Sequence, residues 1–222
     1  MSSETLSFPQ RKILKNYRSV TGHFPSIKNN RSIAFESLLE KNFFLTLEFD
    51  HTVHSYSEQP QITIEQNRKA KTYSADCYVI YHPSSGKKNS IVEVKYESDL
   101  AKNKEQLEAK FESAEASLHE MDMDFFLFTD ATYPEIYIRN LDFLYRYKTF
   151  IHSDEHNSRI LSAINNPISA LELANSLAKD KPDYFQLANS IWALVASGHL
   201  DTNLHDQEIT MNSIVWRNDE RH

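Results

Sequence analysis

The sequence predicts a mixed α/β sheet covered by helices, followed by a smaller module of three helices and a strand pair. Three observations predict it. Short stretches with period-two alternation crowd between residues 53 and 96, and helical spacing brackets them at 35–47 and 99–122. After residue 150 the rhythm changes to helical segments separated by short polar breaks. A chain of 222 residues has room for one medium domain plus a small one, or for a single large domain. Apolar residues make up 40% and aromatics 12%, enough for a packed core, and three glycines with seven prolines exclude low complexity.

Taken in order, residues 1–34 are polar, basic and weakly periodic, and read as an arm. A domain over 35–152 follows. Phe35, Leu38, Leu39, Phe43 and Leu47 mark one face of a helix that ends near Asp50. Residues 53–66 read as two strands around Gln59-Pro60, and 70–81 as a strand rich in β-branched and aromatic residues. The turn cluster Pro83–Asn89 then leads into a strand over Ile91–Tyr96, which makes a hairpin. Residues 99–122 read as a long helix capped by Asp99, with Leu107, Phe111, Ala114 and Leu118 as its buried stripe. Strands over 124–129 and 135–138 follow, and a helix over 141–151, capped by Asn140, closes the domain.

The last part, 153–222, contains helical segments at 155–164, 168–178 and 184–197. Gly198 stops the third, and 199–215 reads as two strands joined by a polar loop. Three helices and a hairpin describe a winged-helix module. The domain boundary is expected near 150–155.

Charge distribution matters more than the net −7. Residues 1–31 carry six Lys/Arg against one acid, whereas 32–149 carry 13 against 20 and 150–222 carry 5 against 10. Contact with phosphate needs a local basic surface rather than a basic total. Arg11, Lys12, Lys15, Arg18, Lys28 and Arg31, with His23 nearby, are the candidate DNA footprint of the arm, although an exposed charge run is more often only a solvated surface. A chain this acidic overall should hold free DNA weakly and depend on a partner for delivery. The lone Cys77 excludes an internal disulfide and suits a reducing cytoplasm. No apolar run is long enough to span a bilayer, and no leader precedes the fold.

The chemistry concentrates in residues 36–95. Glu93 and Lys95 are two apart on a strand, so both emerge on one face, which Ile91 shares, while Val92, Val94 and Tyr96 point the other way. If the hairpin register sets Asp76 beside Glu93, two carboxylates and an ammonium converge. Glu36, on the preceding helix, can add a third carboxylate. Glu40 is its rival, because residues four apart share a helical face.

Carboxylate oxygens of this kind hold Mg²⁺ or Mn²⁺, and phosphodiester hydrolysis uses such ions with a nearby lysine. An ion-paired surface would produce the same residues. Yet Glu93 and Lys95 interrupt an apolar strand, where unpaired charge is costly. The histidines lack metal-ligand spacing with the cysteine, so no structural zinc site is expected.

RSVTGHFPS at 18–26, FESLLEKNFF at 35–44, LEFD at 47–50, YSEQP at 56–60, YSAD at 73–76 and VEVK at 92–95 stand in one order. Together with FLFTD at 126–130 and RNLDFLYRY at 139–147, they resemble TnsA, the endonuclease subunit of heteromeric cut-and-paste transposases. This resemblance covers residues 10–150, the remainder being alike only at the level of fold, and the wider likeness is to the restriction-endonuclease-like PD-(D/E)xK superfamily.

The resemblance implies a restriction-endonuclease-like sheet and a metal-dependent DNA endonuclease. Glu36, Asp76 and Glu93 would be metal ligands for two Mg²⁺ or Mn²⁺ ions, and Lys95 the catalytic lysine. Glu93 stands where some TnsA-type proteins have Gln, and Ala75 replaces a proline that often precedes the aspartate. The resemblance further implies nicking at the 5′ ends of a transposon, with a DDE transposase acting on the 3′ ends and an AAA+ ATPase regulator contacting the C-terminal module. The protein would be cytoplasmic and associated with the nucleoid when active. A stand-alone restriction- or repair-type endonuclease, or a catalytically silent adaptor of the same fold, are the alternatives.

Overall fold

The computed structural model describes residues 6–8, 20–66, 69–150 and 153–218. Contacts divide the chain between Thr132 and Tyr133 into two compact units, upstream of the division expected near 150–155.

The first unit is built on a four-stranded sheet of β4 (Val53–Glu58), β7 (Cys77–Tyr81), β8 (Ser90–Val94) and β9 (Asp124–Phe128), in that order. Strands β4, β7 and β8 run antiparallel in sequence, and β9 runs parallel to β8. A second sheet joins β1 (Leu6–Ser7), β5 (Gln61–Gln66) and β6 (Lys69–Ser74). The two strands expected around Gln59-Pro60 are present, but they belong to different sheets. The strand expected over 70–81 is likewise divided at Ala75-Asp76, where the chain leaves the second sheet and enters the first.

Both faces of the four-stranded sheet are covered. Helix α1 (Leu38–Phe49) packs on one face, with Phe43 against Phe128 at 5.0 Å and Phe44 stacked on Tyr56 at 5.5 Å. On the other, Ile91 joins Ile62, Ile64, Tyr73, Ala114 and Leu118 in a buried cluster against which Phe125 packs. Ala114 and Leu118 lie on α3 (Lys104–Glu120). The long helix expected over 99–122 is interrupted at Asn103, whose backbone (φ −120°, ψ 24°) leaves helical geometry and separates α3 from the short α2 (Glu97–Lys102).

The expected start of α1 at Phe35 is corrected by its cap. Ser37 is the N-cap, and its hydroxyl accepts from the Glu40 N–H at 3.1 Å. Phe35 instead ends β3 (Arg31–Phe35), which forms a hairpin with β2 (Gly22–Ser26). Part of the expected arm is therefore structured, because Phe24, Ile33 and Phe35 bury apolar surface beside α1.

Glu48 of α1, only 2% exposed, anchors this hairpin. It accepts from the Ser26 hydroxyl at 2.6 Å, the Tyr56 hydroxyl at 2.8 Å, and the N–H groups of Ile27 and Lys28 at 3.2 Å each. Gly22 is fixed by close approach. A Cβ there would stand 2.6 Å from the buried Phe35 ring, so Gly22→Ala should cost about 1–3 kcal/mol in urea unfolding. An unchanged midpoint would contradict this packing.

The second unit begins with α4 (Glu135–Tyr145), which replaces the expected strand over 135–138 and the expected helix over 141–151. Pro134 starts the helix, and the buried Leu141 and Leu144 hold the helical period. Asn140 is not its cap. It sits 2% exposed within the helix, donates to the carbonyls of Leu204 and Gln207, and accepts from the Ile209 N–H.

Helices α5 (Asp154–Ala163), α6 (Ala170–Leu177) and α7 (Lys181–Ala196) follow, with a three-stranded sheet of β10 (Ile168–Ser169), β12 (Ile214–Arg217) and β11 (Leu200–Thr202). Gly198, at φ 77°, ends α7 as expected. Among the described residues, no helix is long and apolar enough to cross a membrane. The architecture is mixed α/β and compatible with a restriction-endonuclease-like fold.

Candidate active site

The β7–β8 pairing opposes Cys77 to Val92, and the Asp76 N–H extends the ladder by donating to the Val92 carbonyl at 3.2 Å. This register sets Asp76 beside the end of β8. Its Oδ2 accepts from the Val94 N–H at 2.7 Å and from Lys95 Nζ at 3.1 Å. Lys95 Nζ also lies 2.8 Å from Glu93 Oε1. Asp76, Glu93 and Lys95 thus converge on one face, as the two-residue spacing of Glu93 and Lys95 requires.

Glu93 is 2% exposed, and its second oxygen accepts from the Tyr73 hydroxyl at 2.6 Å. Burial pushes the Asp76 carboxyl above its ordinary range, and the Glu93 charge adds to this. Lys95 and the Val94 N–H pull it partly back. Burial alone would lower the Lys95 pKa, but the Asp76 and Glu93 carboxylates outweigh it and raise it. At neutral pH Lys95 is an ammonium.

Glu36 and Glu40 occupy different environments. Glu36 precedes the cap of α1 rather than lying on the helix. It is exposed, and Gln59 Nε2 donates to it at 2.7 Å. Gln59 has a left-handed backbone (φ 50°), and its N–H donates to the Asp76 carbonyl at 2.9 Å, so Glu36 and Asp76 are both tied to this one residue.

Glu40 is more enclosed and reaches back to the Glu36 N–H and the Ser37 hydroxyl, both at 3.0 Å. Burial pushes its carboxyl up to about 7, opposed by the Glu36 N–H and reinforced by the Asp76 charge. The folded protein therefore holds this proton at a pH where the unfolded chain has released it. Stability from this group falls as pH rises from about 4.3 to 7. Glu40→Gln should flatten that part of the stability–pH curve, as read by urea unfolding at several pH values. A variant with the parent's slope would contradict the placement.

The donor chemistry fits a hard divalent cation, since two carboxylates are crowded in a buried site and one of them resists ionisation. Among the described residues, no group of three or more His, Cys, Asp or Glu, the expected Glu36, Asp76 and Glu93 included, is placed to hold a metal ion together, and Lys95 lies between Asp76 and Glu93.

The candidate DNA residues are dispersed. Arg11, Lys12, Lys15 and Arg18 lie outside the described residues. His23 is exposed on β2. Lys28 donates to the carbonyls of Asp50 and Val53 at 2.7 and 2.6 Å, and Arg31 makes two hydrogen bonds to Glu58 at 2.8 and 2.5 Å. Cys77 is fully buried, and burial pushes its thiol pKa up.

Sequence reasoning missed Tyr73, three residues before Asp76, although a tyrosine hydroxyl entering a core needs a partner. It also missed that Ser37-x-x-Glu40 reads as a helix-start signature, which would have moved α1 past Glu36.

A mixed sheet carrying paired carboxylates and a lysine at adjoining strands is compatible with a nuclease site. Residues 50–130 match the family model described as TnsA-like endonuclease N terminal. The match bears out the resemblance to TnsA-type endonucleases and spans β4 to β9, with Asp76, Glu93 and Lys95 inside it. No curated protein matches the chain.

Proposed function

We propose that this protein is the endonuclease subunit of a cut-and-paste transposase, hydrolysing DNA phosphodiesters at the 5′ ends of a transposon. The observation that carries the reading is the convergence of Asp76, Glu93 and Lys95 within the segment matching the TnsA-like endonuclease model.

Asp76 and Glu93 would hold Mg²⁺ or Mn²⁺, with the α1 entrance adding a third carboxylate. Glu36, tied with Asp76 to Gln59, would take that part, with the more enclosed Glu40 beside it. A bound divalent ion supplies Lewis acidity towards the phosphoryl oxygen and a more acidic water.

The Val94 N–H and the Tyr73 hydroxyl each fix one carboxylate, so neither must reorganise when substrate arrives. Lys95, held as an ammonium, offsets charge on the phosphate and orients the attacking water rather than taking its proton. Hydrolysis breaks a phosphorus–oxygen bond of one strand and leaves the other strand to a DDE transposase.

We assign the second unit to the winged-helix class and to protein contact, with an AAA+ ATPase regulator as its partner. Its helices α5, α6 and α7 carry only Arg159 and Lys181 as Lys/Arg cations. Arg159 is committed to Asp183 at 3.0 Å, which supports a protein-facing role over DNA reading.

The test is reconstituted excision with end-labelled transposon DNA, Mg²⁺ or Mn²⁺ and the partner transposase. Loss of 5′ cutting in Asp76→Ala is the expected result, and undiminished cutting overturns the reading.

A further inference from the structure

Strands β5 and β6 and helix α3 border a recess of about 240 Å³ lined by Ile64, Lys71, Thr72, Tyr73, Gln106 and Lys110. We propose that this recess holds a backbone phosphodiester of the DNA strand next to the scissile position. Lys71 and Lys110 would meet its anionic oxygens, and Gln106 would add a neutral hydrogen bond. The assignment rests on the nuclease reading and adds to it a place where the strand is gripped.

Tyr73 joins the recess to the catalytic carboxylates. Lys110 Nζ stands 4.3 Å from the centroid of its ring, and the hydroxyl of the same ring donates to Glu93 at 2.6 Å. The two sites are thus separated by one tyrosine side chain, a span that a strand covers in a step or two. Lys71 shares the Tyr73 face of β6 by strand alternation.

The charge pattern favours an anion here. Lys110 has Gln106, Leu107, Ser113 and Ala114 as its helical neighbours, none of them acidic. Among the described residues no carboxylate lies within ion-pair distance of Lys110. Lys102 and Lys104, by contrast, pair with Asp99 and Glu108. The stretch Asn67-Arg68-Lys69-Ala70-Lys71 contains three cations and no acid in a chain of net charge −7. Buried carboxylates repel a phosphate backbone, and the Lys28 and Arg31 head groups are engaged with protein acceptors. A basic recess adjoining the site supplies attraction for that backbone.

The experiment is fluorescence anisotropy of the full chain with a labelled blunt DNA duplex of arbitrary sequence, titrated over a salt series with chelator present. Lys71→Gln/Lys110→Gln should weaken binding by about tenfold and make the salt dependence shallower by about one phosphate contact. Lys71→Arg/Lys110→Arg should restore both values, and Lys102→Gln/Lys104→Gln should stay near the parent. Three results would each overturn the proposal: a double glutamine variant that binds like the parent, an equal loss in the Lys102/Lys104 control, or no binding by the parent at low salt. The nuclease reading is judged separately. Asp76→Asn tests cutting and leaves the lysines in place, so either idea can fail alone.

Discussion

Asp76→Asn should abolish strand cleavage, by about a thousandfold or more, while leaving the fold as stable as the parent or more so. The substitution keeps an oxygen to accept from the Val94 N–H and removes one of two crowded charges. The sign follows from the raised carboxyl pKa. The folded site holds its proton to higher pH than the unfolded chain does, so ionisation above the unfolded value costs stability, and Asn escapes that cost. Lys95→Ala should lose cutting to a similar degree but destabilise the protein, because Asp76 and Glu93 are left without their shared cation. End-labelled cleavage and urea unfolding of both variants check the pair. Equal stability losses would refute the electrostatic account even if both enzymes were dead.

Glu48→Ala should produce the largest loss of stability, about 3 kcal/mol or more. Four donors converge on this carboxylate, and truncation leaves the Ser26 and Tyr56 hydroxyls and two backbone N–H groups facing a void. Little of that loss can be recovered by water, since the surroundings include Phe44, stacked on Tyr56 and fully buried. The β2–β3 hairpin should loosen first, so hydrogen exchange at Ile27 and Lys28 is the sensitive readout. Exchange at those amides matching the parent would show that Glu48 is not the anchor.

Much of the site was legible because a strand has a fixed period. Spacing alone put Glu93 and Lys95 on one face with Ile91, and the turn cluster before residue 90 implied the hairpin partner carrying Asp76. Less was legible where long-range packing decided between local options. The run Glu135–Ile138 has strand composition, and only the buried Leu141 and Leu144 and the tie from Asn140 to residues 204–209 make it the first turn of a helix. Asn103 breaks a pattern whose apolar spacing continues past it. The orientation of Glu40 and the Tyr73–Glu93 bond depend on elements far apart in sequence, which periodicity does not register.

The passage of one continuous chain from the second sheet into the first at Ala75-Asp76 has a mechanical consequence. Asp76 sits at a fulcrum: Gln59 and Pro60 grip the backbone on one side and Val92 on the other. The backbone that carries this carboxylate is thus shared between the two sheets. A single inserted residue here would turn Cys77 and Val79 outward, whereas the same insertion at the tip of the β5–β6 hairpin would leave that alternation untouched.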